Sequence, residues 1–474
     1  MRQEALKLGL ALNPSKCEVI CPLIDRPTTS ELLSQFKWIS PELASLLGVP
    51  LSTGQALTDA LSQACSSLEL MSDRLARLHA QDALLVLRHS FSVPRIQHLL
   101  RGIFCGEHSL LASYDACLRA SLSRIINTYI DDQCWAQASL PINSGGLGIC
   151  SAVAVSAPAF LSSMHGADAL SACILRKASL LPHDVLVTRA TEFWSKLSGA
   201  SVYSAPTGSL VLQKTWDSPI VASVFQNLLD TADIRTKARL MAVASSHAGD
   251  WLKALPSSSL GLRLDDEGVR ICVGLRLGSS ICTPYTCLCG APVDSRGTHS
   301  LSCSRSAGRQ PRHALVNDIM LRAFGRAGIP TIREPAGLAL SSSLRPDGTT
   351  IIPWSQGKCL AWDVTCPDTL ATSNVTGCAR EAGSAAERAA QLKHSKYQQL
   401  QSTHDFAPIA LETLGPINKE GLSLLNALGG RIIAKVGNLR ERMFLFQRLS
   451  MAVQRGNIAS FVGSLKHEKY FHEM

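Results

Sequence analysis

The fold class of this 474-residue chain follows from residues 345–365, which read R-P-D-G-T-T-I-I-P-W-S-Q-G-K-C-L-A-W-D-V-T. Two apolar stretches of strand length, Thr349–Pro353 and Lys358–Thr365, are separated here by a turn that contains glycine. Outward from them, the sequence predicts two more strands and two helices: Thr331–Ala339, Ala407–Leu414, His313–Ala327 and about Arg380–Gln401. Because strands alternate with helices, we expect a small α/β domain with a mixed sheet.

Two carboxylates in this stretch are candidates for chemistry. Asp347 stands at the start of one predicted strand, and Asp363 stands inside the next, where an unpaired carboxylate would be costly. Two such side chains can converge on one divalent cation, and Mg²⁺ binds to few protein carboxylates together with water and phosphate oxygens. The pattern is that of PD-(D/E)xK nucleases, in which the cation activates water and stabilises charge on a phosphodiester. Asp347 and Asp363 are therefore predicted to be catalytic Mg²⁺ ligands.

The lysine of that pattern is absent from its usual position, which Thr365 occupies. Lys393 and Lys396 lie three residues apart on the following helix and project from one helix face. Either could reach over the site and polarise the nucleophile, and the sequence does not decide between them. Further polar candidates in this region are Glu387, Arg312, His313 and Glu334.

A cysteine- and histidine-rich segment at residues 282–303 predicts a structural zinc site. Zinc takes four nitrogen or sulfur ligands, and we select Cys287, Cys289, His299 and Cys303, with Cys282 as the alternative. The Cys-x-Cys spacing is tighter than the common Cys-x2-Cys, and the competing interpretation is a set of buried free thiols. Gly290 and Gly297 suit the turns that such a knuckle needs.

Composition and charge limit the classes of function. The chain has a net charge of +9, and residues 305–345 hold seven arginines, no lysine and two acidic residues. Local basic excess of this kind suits a phosphate backbone, although a solvated surface is the alternative. The sequence shows no secretory signal and no apolar run of about 20 residues. We therefore expect an intracellular protein of the nucleus or cytoplasm that is not secreted, does not bind membranes and keeps its cysteines reduced.

The first half of the chain is predicted to be helical, so that the whole chain is α+β. Apolar residues such as Leu61, Leu68 and Leu75 recur at helical spacing from residue 55 to about 130, and more helix follows to about 250. Tyr129-Ile130-Asp131-Asp132 spells the aspartate box of reverse transcriptases. That box needs a strand–turn–strand hairpin, whereas here it follows a helical stretch, so we do not expect it to be catalytic.

Several segments together resemble non-LTR retrotransposon reverse transcriptases. The segment GLALNPSKCEVI (9–20) resembles the one that follows the catalytic box, and LLGVPLS (46–52) resembles the primer-grip hairpin. QASLPINSGGLGI (137–149) resembles a stretch beyond the thumb. The Cys/His knuckle, Arg312-His313, Arg345-Pro-Asp and Asp-Val-Thr resemble the restriction-like endonuclease that ends site-specific elements of this class. The segments occur in the same order as in that family.

The resemblance implies a domain order and a truncated, C-terminal piece of a transposable-element polyprotein. It implies a palm remnant (1–54), a helical thumb (55–150), a helical connector (151–261), a zinc-knuckle region (262–310) and an α/β restriction-endonuclease-like domain (311–474). In the family the polymerase box precedes residue 9, so polymerase activity is not expected. The family's endonuclease lysine is displaced from its usual position, which fits Lys393 or Lys396.

The expected function is a Mg²⁺-dependent nick in DNA, with element RNA as a second partner and an intact element-encoded reverse transcriptase as a possible associate. Nucleic acid is expected to contact Arg309, Arg312, His313 and Arg345, mainly through phosphates. The alternative is a catalytically inert, nucleic-acid-binding remnant of a mobile element.

Overall fold

The computed structural model describes residues 7–9, 11, 13–20, 36–175, 183–200, 211–338 and 345–465. Leu10, Leu12 and Ala339, which belong to predicted segments, lie outside the described residues. The protein mixes α and β structure and is mostly helical, as predicted. Within the described residues, even the apolar 24-residue helix Ala152–Leu175 is not a candidate to cross a membrane, and neither is any other helix.

The helices are α1 (Gln55–Leu75), α2 (Ala80–Val86), α3 (Val93–Gly102), α4 (Ser109–Ile125), α5 (Asp132–Ala138), α6 (Ala152–Leu175), α7 (His183–Ser198), α8 (Gln213–Asp230), α9 (Ile234–Val243), α10 (Asp250–Lys253), α11 (Asp266–Leu277), α12 (His299–Ser302), α13 (Arg309–Arg326), α14 (Val375–Cys378), α15 (Ser384–Lys396), α16 (Lys419–Val436) and α17 (Glu441–Val462). The strands are β1 (Glu18–Val19), β2 (Lys37–Trp38), β3 (Ser45–Leu46), β4 (Val49–Pro50), β5 (Tyr285–Thr286), β6 (Pro292–Val293), β7 (Thr331–Arg333), β8 (Gly348–Thr350), β9 (Leu360–Thr365) and β10 (Asp405–Ala410).

The chain divides into two compact units. The first comprises residues 1–74, 89–118 and 151–223, and the second comprises 75–88, 119–150 and 224–474. In the first unit, α3 packs against α6, which packs against α7. The segment LLGVPLS forms the antiparallel hairpin β3–β4, whose two turn residues Leu47 and Gly48 both have positive φ. That backbone geometry is typical of a type I′ hairpin turn.

The second unit contains a four-stranded sheet in the order β10-β9-β8-β7. Strands β9 and β10 are parallel, whereas β7, β8 and β9 are antiparallel, so the predicted mixed sheet is confirmed. The predicted strand Thr349–Pro353 was too long, because Ile351 and Ile352 are exposed beyond the end of β8. The predicted helix Arg380–Gln401 was also too long, since Gly383 has a φ of 87° and α15 begins only at Ser384.

The two faces of β9 have different surroundings. Leu360, Trp362 and Val364 point into the main core with α13, α16 and α17. Ala361 belongs to a smaller cluster with Tyr397, on the opposite face. Because side chains alternate along a strand, Asp363 shares that second face with Ala361. The strand therefore places one carboxylate under the end of α15.

The glycine-rich loop in residues 137–149 is a buried structural element of the second unit. Arg276, only 3% exposed, donates hydrogen bonds from its guanidinium to the carbonyl oxygens of Ile142 (2.8 Å) and Gly146 (3.1 Å). A Cβ on Gly146 would overlap the Leu140 carbonyl, so this position requires glycine. The loop therefore contributes to packing in this unit.

The Tyr129–Asp132 segment joins two helices. Asp131 is the N-cap of α5 and accepts a hydrogen bond from the backbone N–H of Cys134 at 2.7 Å. Asp132 forms an ion pair with Arg119 at 2.6 Å. In this fully described stretch no strand flanks the segment, which agrees with the prediction that it is not a polymerase hairpin.

Candidate metal centres

Asp347 immediately precedes β8, and Asp363 lies inside β9. Strands β8 and β9 pair antiparallel with Gly348 opposite Trp362, and extending that register by one residue places Asp347 opposite Asp363. The two carboxylates contact different helices, because Asp347 pairs with His313 of α13 and Asp363 pairs with Lys393 of α15. The Asp347 carboxylate also accepts a hydrogen bond from the backbone N–H of Val364, at 2.6 Å. That hydrogen bond places the Asp347 carboxylate next to the residue that follows Asp363, and convergence of the two carboxylates on one cation stays a prediction.

The glycine after Asp347 lets the strands approach. A Cβ on Gly348 would overlap the indole of Trp362, which is fully buried. That indole stacks on Phe324 with ring centroids 4.7 Å apart, and its N–H donates to Asn317 at 3.3 Å. The motif Arg-Pro-Asp-Gly thus combines a candidate metal ligand with a packing requirement at the next residue.

The two candidate lysines differ in what they contact. The Lys393 ammonium forms a close ion pair with Asp363, whose side chain is only 4% exposed, while that of Lys393 is 23% exposed. The Lys396 ammonium instead lies over the Tyr397 ring, 4.7 Å from its centroid, and donates to the Tyr397 hydroxyl at 3.1 Å. Lys393 is therefore the lysine that directly reaches the carboxylate pair.

Tyr397 is a site residue that sequence reasoning missed. Its hydroxyl lies 2.5 Å from Asp363 Oδ2 and 2.8 Å from the Arg345 carbonyl oxygen. Burial raises the pKa of Tyr397, and the Asp363 carboxylate raises it further, so the hydroxyl keeps its proton and donates it in a hydrogen bond. The sequence signal that could have identified Tyr397 is its position four residues, about one helical turn, after Lys393.

His313 contacts the carboxylate of Asp347. Its Nε2 lies 3.0 Å from Asp347 Oδ2. The hydrogen bond to Asp347 raises the pKa of His313 above its ordinary value. Burial raises the pKa of Asp347, but hydrogen bonds from His313, Asn317 and the Val364 N–H outweigh it and leave that pKa below its ordinary value. Asp347 is therefore ionised at neutral pH.

The other predicted residues lie in varied places. Arg309 and Arg345 are exposed and can meet a ligand. Arg312 is 1% exposed and donates to Ser460 inside the unit, so its burial argues against the predicted contact with nucleic acid. Glu387 accepts a hydrogen bond from the Lys419 backbone N–H, at 2.6 Å. Glu334 is 61% exposed and lies 3.8 Å from the Arg333 guanidinium.

The second centre consists of Cys287, Cys289, His299 and Cys303, the four residues selected from the sequence. Their ligand atoms all lie within 4.8 Å of one another. The sulfurs of Cys287 and Cys303 are 3.6 Å apart, and Cys289 Sγ is 3.2 Å from His299 Nε2. A zinc ion with bonds of about 2.3 Å to sulfur separates its tetrahedral sulfur ligands by about 3.8 Å, so this set fits zinc.

The local fold explains why these four residues come together. The hairpin β5–β6 carries Cys287 and Cys289 at its turn, where Gly290 has a φ of 89°. The short helix α12 begins at His299, and Cys303 follows it. Hydrogen bonds from the Ala291 backbone and from His299 lower the pKa of Cys289 to about 6, which favours the thiolate that binds metal.

Cys282 lies outside this group. Its sulfur contacts the carbonyl oxygens of Asp294 and Ser295, at 3.4 and 3.5 Å. Burial raises the pKa of its thiol to about 11. Cys282 does not belong to the group of four whose ligand atoms lie within 4.8 Å of one another, so the geometry favours the set without it.

Comparison with known proteins gives no family assignment. No protein-family model matches the sequence, and no curated protein is significantly similar to it.

Proposed function

We propose that the protein is a metal-dependent DNA-nicking endonuclease with Asp347 and Asp363 at its centre. The observation that carries this proposal is the hydrogen bond from the Val364 N–H to Asp347, which brings that carboxylate to the residue after Asp363, together with the contact between Lys393 and Asp363. This part of the sheet therefore combines two anionic oxygen ligands with one cation. Mg²⁺ bound there would supply positive charge to phosphate oxygens and lower the pKa of a bound water.

Each side chain has a separate role in this proposal. The carboxylates hold the cation, and Lys393 orients and polarises the attacking water or the scissile phosphate. His313 keeps Asp347 ionised and oriented, while the Tyr397 hydroxyl fixes the rotamer of Asp363. Arg309 and Arg345, which are both exposed, bind the DNA backbone.

We also propose that the chain is the C-terminal part of a non-LTR retrotransposon reverse transcriptase. The order of the segments quoted above supports this context, as does the hairpin at LLGVPLS. The cysteine and histidine cluster binds zinc in a structural role and orders the knuckle next to the nuclease domain. Element RNA and an intact element-encoded reverse transcriptase are the proposed partners beside DNA.

A plasmid-nicking assay with and without Mg²⁺ tests the nuclease. The variant Asp347→Asn removes one charge from the site, and we expect nicking to fall by at least about 100-fold. Asp318→Asn is the matched control, because Asp318 is 38% exposed and forms a surface ion pair with Arg333. The control should nick like the wild type, since surface pairs contribute little to stability.

DNA binding in the presence of EDTA separates loss of chemistry from loss of folding. We expect Asp347→Asn to bind DNA as well as the wild type does. Equal nicking by Asp347→Asn and wild type would refute the assignment of the site. Binding without nicking by the wild type would refute the nuclease and favour the inert nucleic-acid-binding remnant.

A further inference from the structure

A small basic cavity has a lining that shares no residue with either centre described above. It has a volume of about 30 Å³ and lies in the second unit, where the N-terminal turn of α9 faces α11 and the turn that follows β6. Its polar lining consists of Arg235, Thr236, Arg239, Asp294, Arg296 and Thr298. One water occupies about 10–15 Å³ by this measure, so the cavity accommodates about two water-sized groups.

Arg239 gives this cavity an unsatisfied donor. The residue is 7% exposed, and its guanidinium donates to Gln137 Oε1 at 2.7 Å and to the Arg276 carbonyl oxygen. Its Nε, however, finds no hydrogen-bond partner among the described residues. Burial lowers the pKa of Arg239 to about 10, so the group is still a cation at neutral pH. A buried cationic N–H without an acceptor is costly and indicates a place for an anion or water.

Two further guanidinium groups line the same cavity. Arg296 is half-buried and donates to Thr236 Oγ1 at 3.2 Å, which holds it against the start of α9. Arg235 is exposed on the first turn of that helix. Asp294 is the carboxylate in the lining, and its negative charge disfavours the binding of an anion. Asp233 lies outside the lining and accepts the N-cap hydrogen bond of α9. The balance of the lining is three cations against one anion.

We propose that this cavity binds one phosphate group of a nucleic-acid strand. Planar guanidinium groups pair with phosphate oxygens through charge-assisted hydrogen bonds, and the volume suits the two non-bridging oxygens of one phosphodiester. Two of the three arginines have surface access, which lets a strand pass over the cavity with one phosphate inserted. The choice of nucleic acid as the source of the phosphate rests on the proposed function.

The test measures binding of a fluorescent DNA duplex in EDTA, as a function of salt, for Arg235→Gln and Lys237→Gln. Both side chains are exposed on α9, but Lys237 does not line the cavity, so the control removes the same charge from the same helix. We expect Arg235→Gln to weaken binding about tenfold and to reduce the salt slope by about one. Lys237→Gln should change binding less than twofold. Equal effects of the two substitutions would overturn the proposal.

Asp294→Asn supplies a change in the opposite direction. Removing the opposing carboxylate should tighten DNA binding, whereas a residue with a merely structural role would weaken binding or leave it unchanged. The source of the phosphate group is tested with inorganic phosphate. The melting temperature of the wild type and of each variant is measured in phosphate and compared with that in chloride. Stabilisation of wild type but not of Arg235→Gln, with unchanged DNA binding, would refute nucleic acid as the ligand.

These measurements are independent of cleavage. If wild type binds DNA but Arg235→Gln behaves like Lys237→Gln, the cavity proposal fails and the nuclease proposal stands. If Asp347→Asn nicks DNA like the wild type while Arg235→Gln loses binding, the nuclease assignment fails and the cavity proposal stands.

Discussion

The ion pair between Lys393 and Asp363 makes the sharpest prediction about the site. Asp363 is almost fully buried, so Lys393→Met leaves a carboxylate without its cation. Removing one partner of a buried pair costs about 3–5 kcal/mol. Tyr397 still donates to Asp363, and Lys393 is 23% exposed, so we discount the expected cost to about 2 kcal/mol.

Hydrogen exchange of the peptide that covers β9 is the suitable assay, because a chain with two compact units need not unfold in one step. In EDTA at neutral pH, a cost of about 2 kcal/mol corresponds to exchange roughly 30-fold faster. Lys396→Met is the control. Its ammonium contacts the neutral Tyr397 hydroxyl and ring, so we expect a change below about 0.5 kcal/mol, or about twofold in rate.

Nicking activity should also be affected more by Lys393→Met than by Lys396→Met. Lys393→Met should abolish Mg²⁺-dependent nicking, and Lys396→Met should retain most of it. Equal exchange rates in the two variants would refute the assignment of Lys393. Additive effects of Lys393→Met and Asp363→Asn in a double-mutant cycle would refute the coupling between the two side chains.

Three further predictions concern the zinc centre, the histidine and the glycine. Cys289→Ser should lower bound zinc well below one ion per chain while Cys282→Ser keeps it, as measured by elemental analysis; equal loss in both would contradict the assigned ligand set. The pairing of His313 with Asp347 should stabilise the protein fully below about pH 6.5 and be lost as the pH rises through the raised pKa of His313. It should also be lost in acid as the pH falls through the lowered pKa of Asp347. The melting-temperature difference between wild type and His313→Asn should therefore be larger near about pH 6 than near about pH 9, and a constant difference would contradict the pairing. Gly348→Ala should destabilise the domain by about 1–3 kcal/mol in denaturant unfolding, because its Cβ overlaps Trp362. Gly357→Ala is the comparison, since its Cβ would meet no atom and only the positive φ is strained. An unchanged unfolding midpoint for Gly348→Ala would refute the close approach of Gly348 to Trp362.

The short-range features of the domain were predictable from sequence. The apolar stretch Lys358–Thr365 predicted a strand that the structure contains as Leu360–Thr365, and the Cys/His-rich segment predicted the group of four that the structure brings together, Cys287, Cys289, His299 and Cys303. Both depend on residues that are close in sequence, where periodicity and turn chemistry fix the geometry. Strand and helix ends were less predictable, because they depend on pairing partners and on the conformation of Gly383.

What the sequence by itself determined is the chemistry available: two carboxylates, two candidate lysines and a cysteine and histidine set that could hold a metal such as zinc. Only the tertiary structure placed Lys393 in contact with Asp363, placed Tyr397 on the same carboxylate and buried Arg312. The physical reason is that these outcomes depend on how α13 and α15 lie against the sheet, which is set by packing between residues far apart in the chain. The register that pairs Gly348 with Trp362 joins both levels, since it needs the strand pattern from the sequence and the glycine–tryptophan contact from the fold.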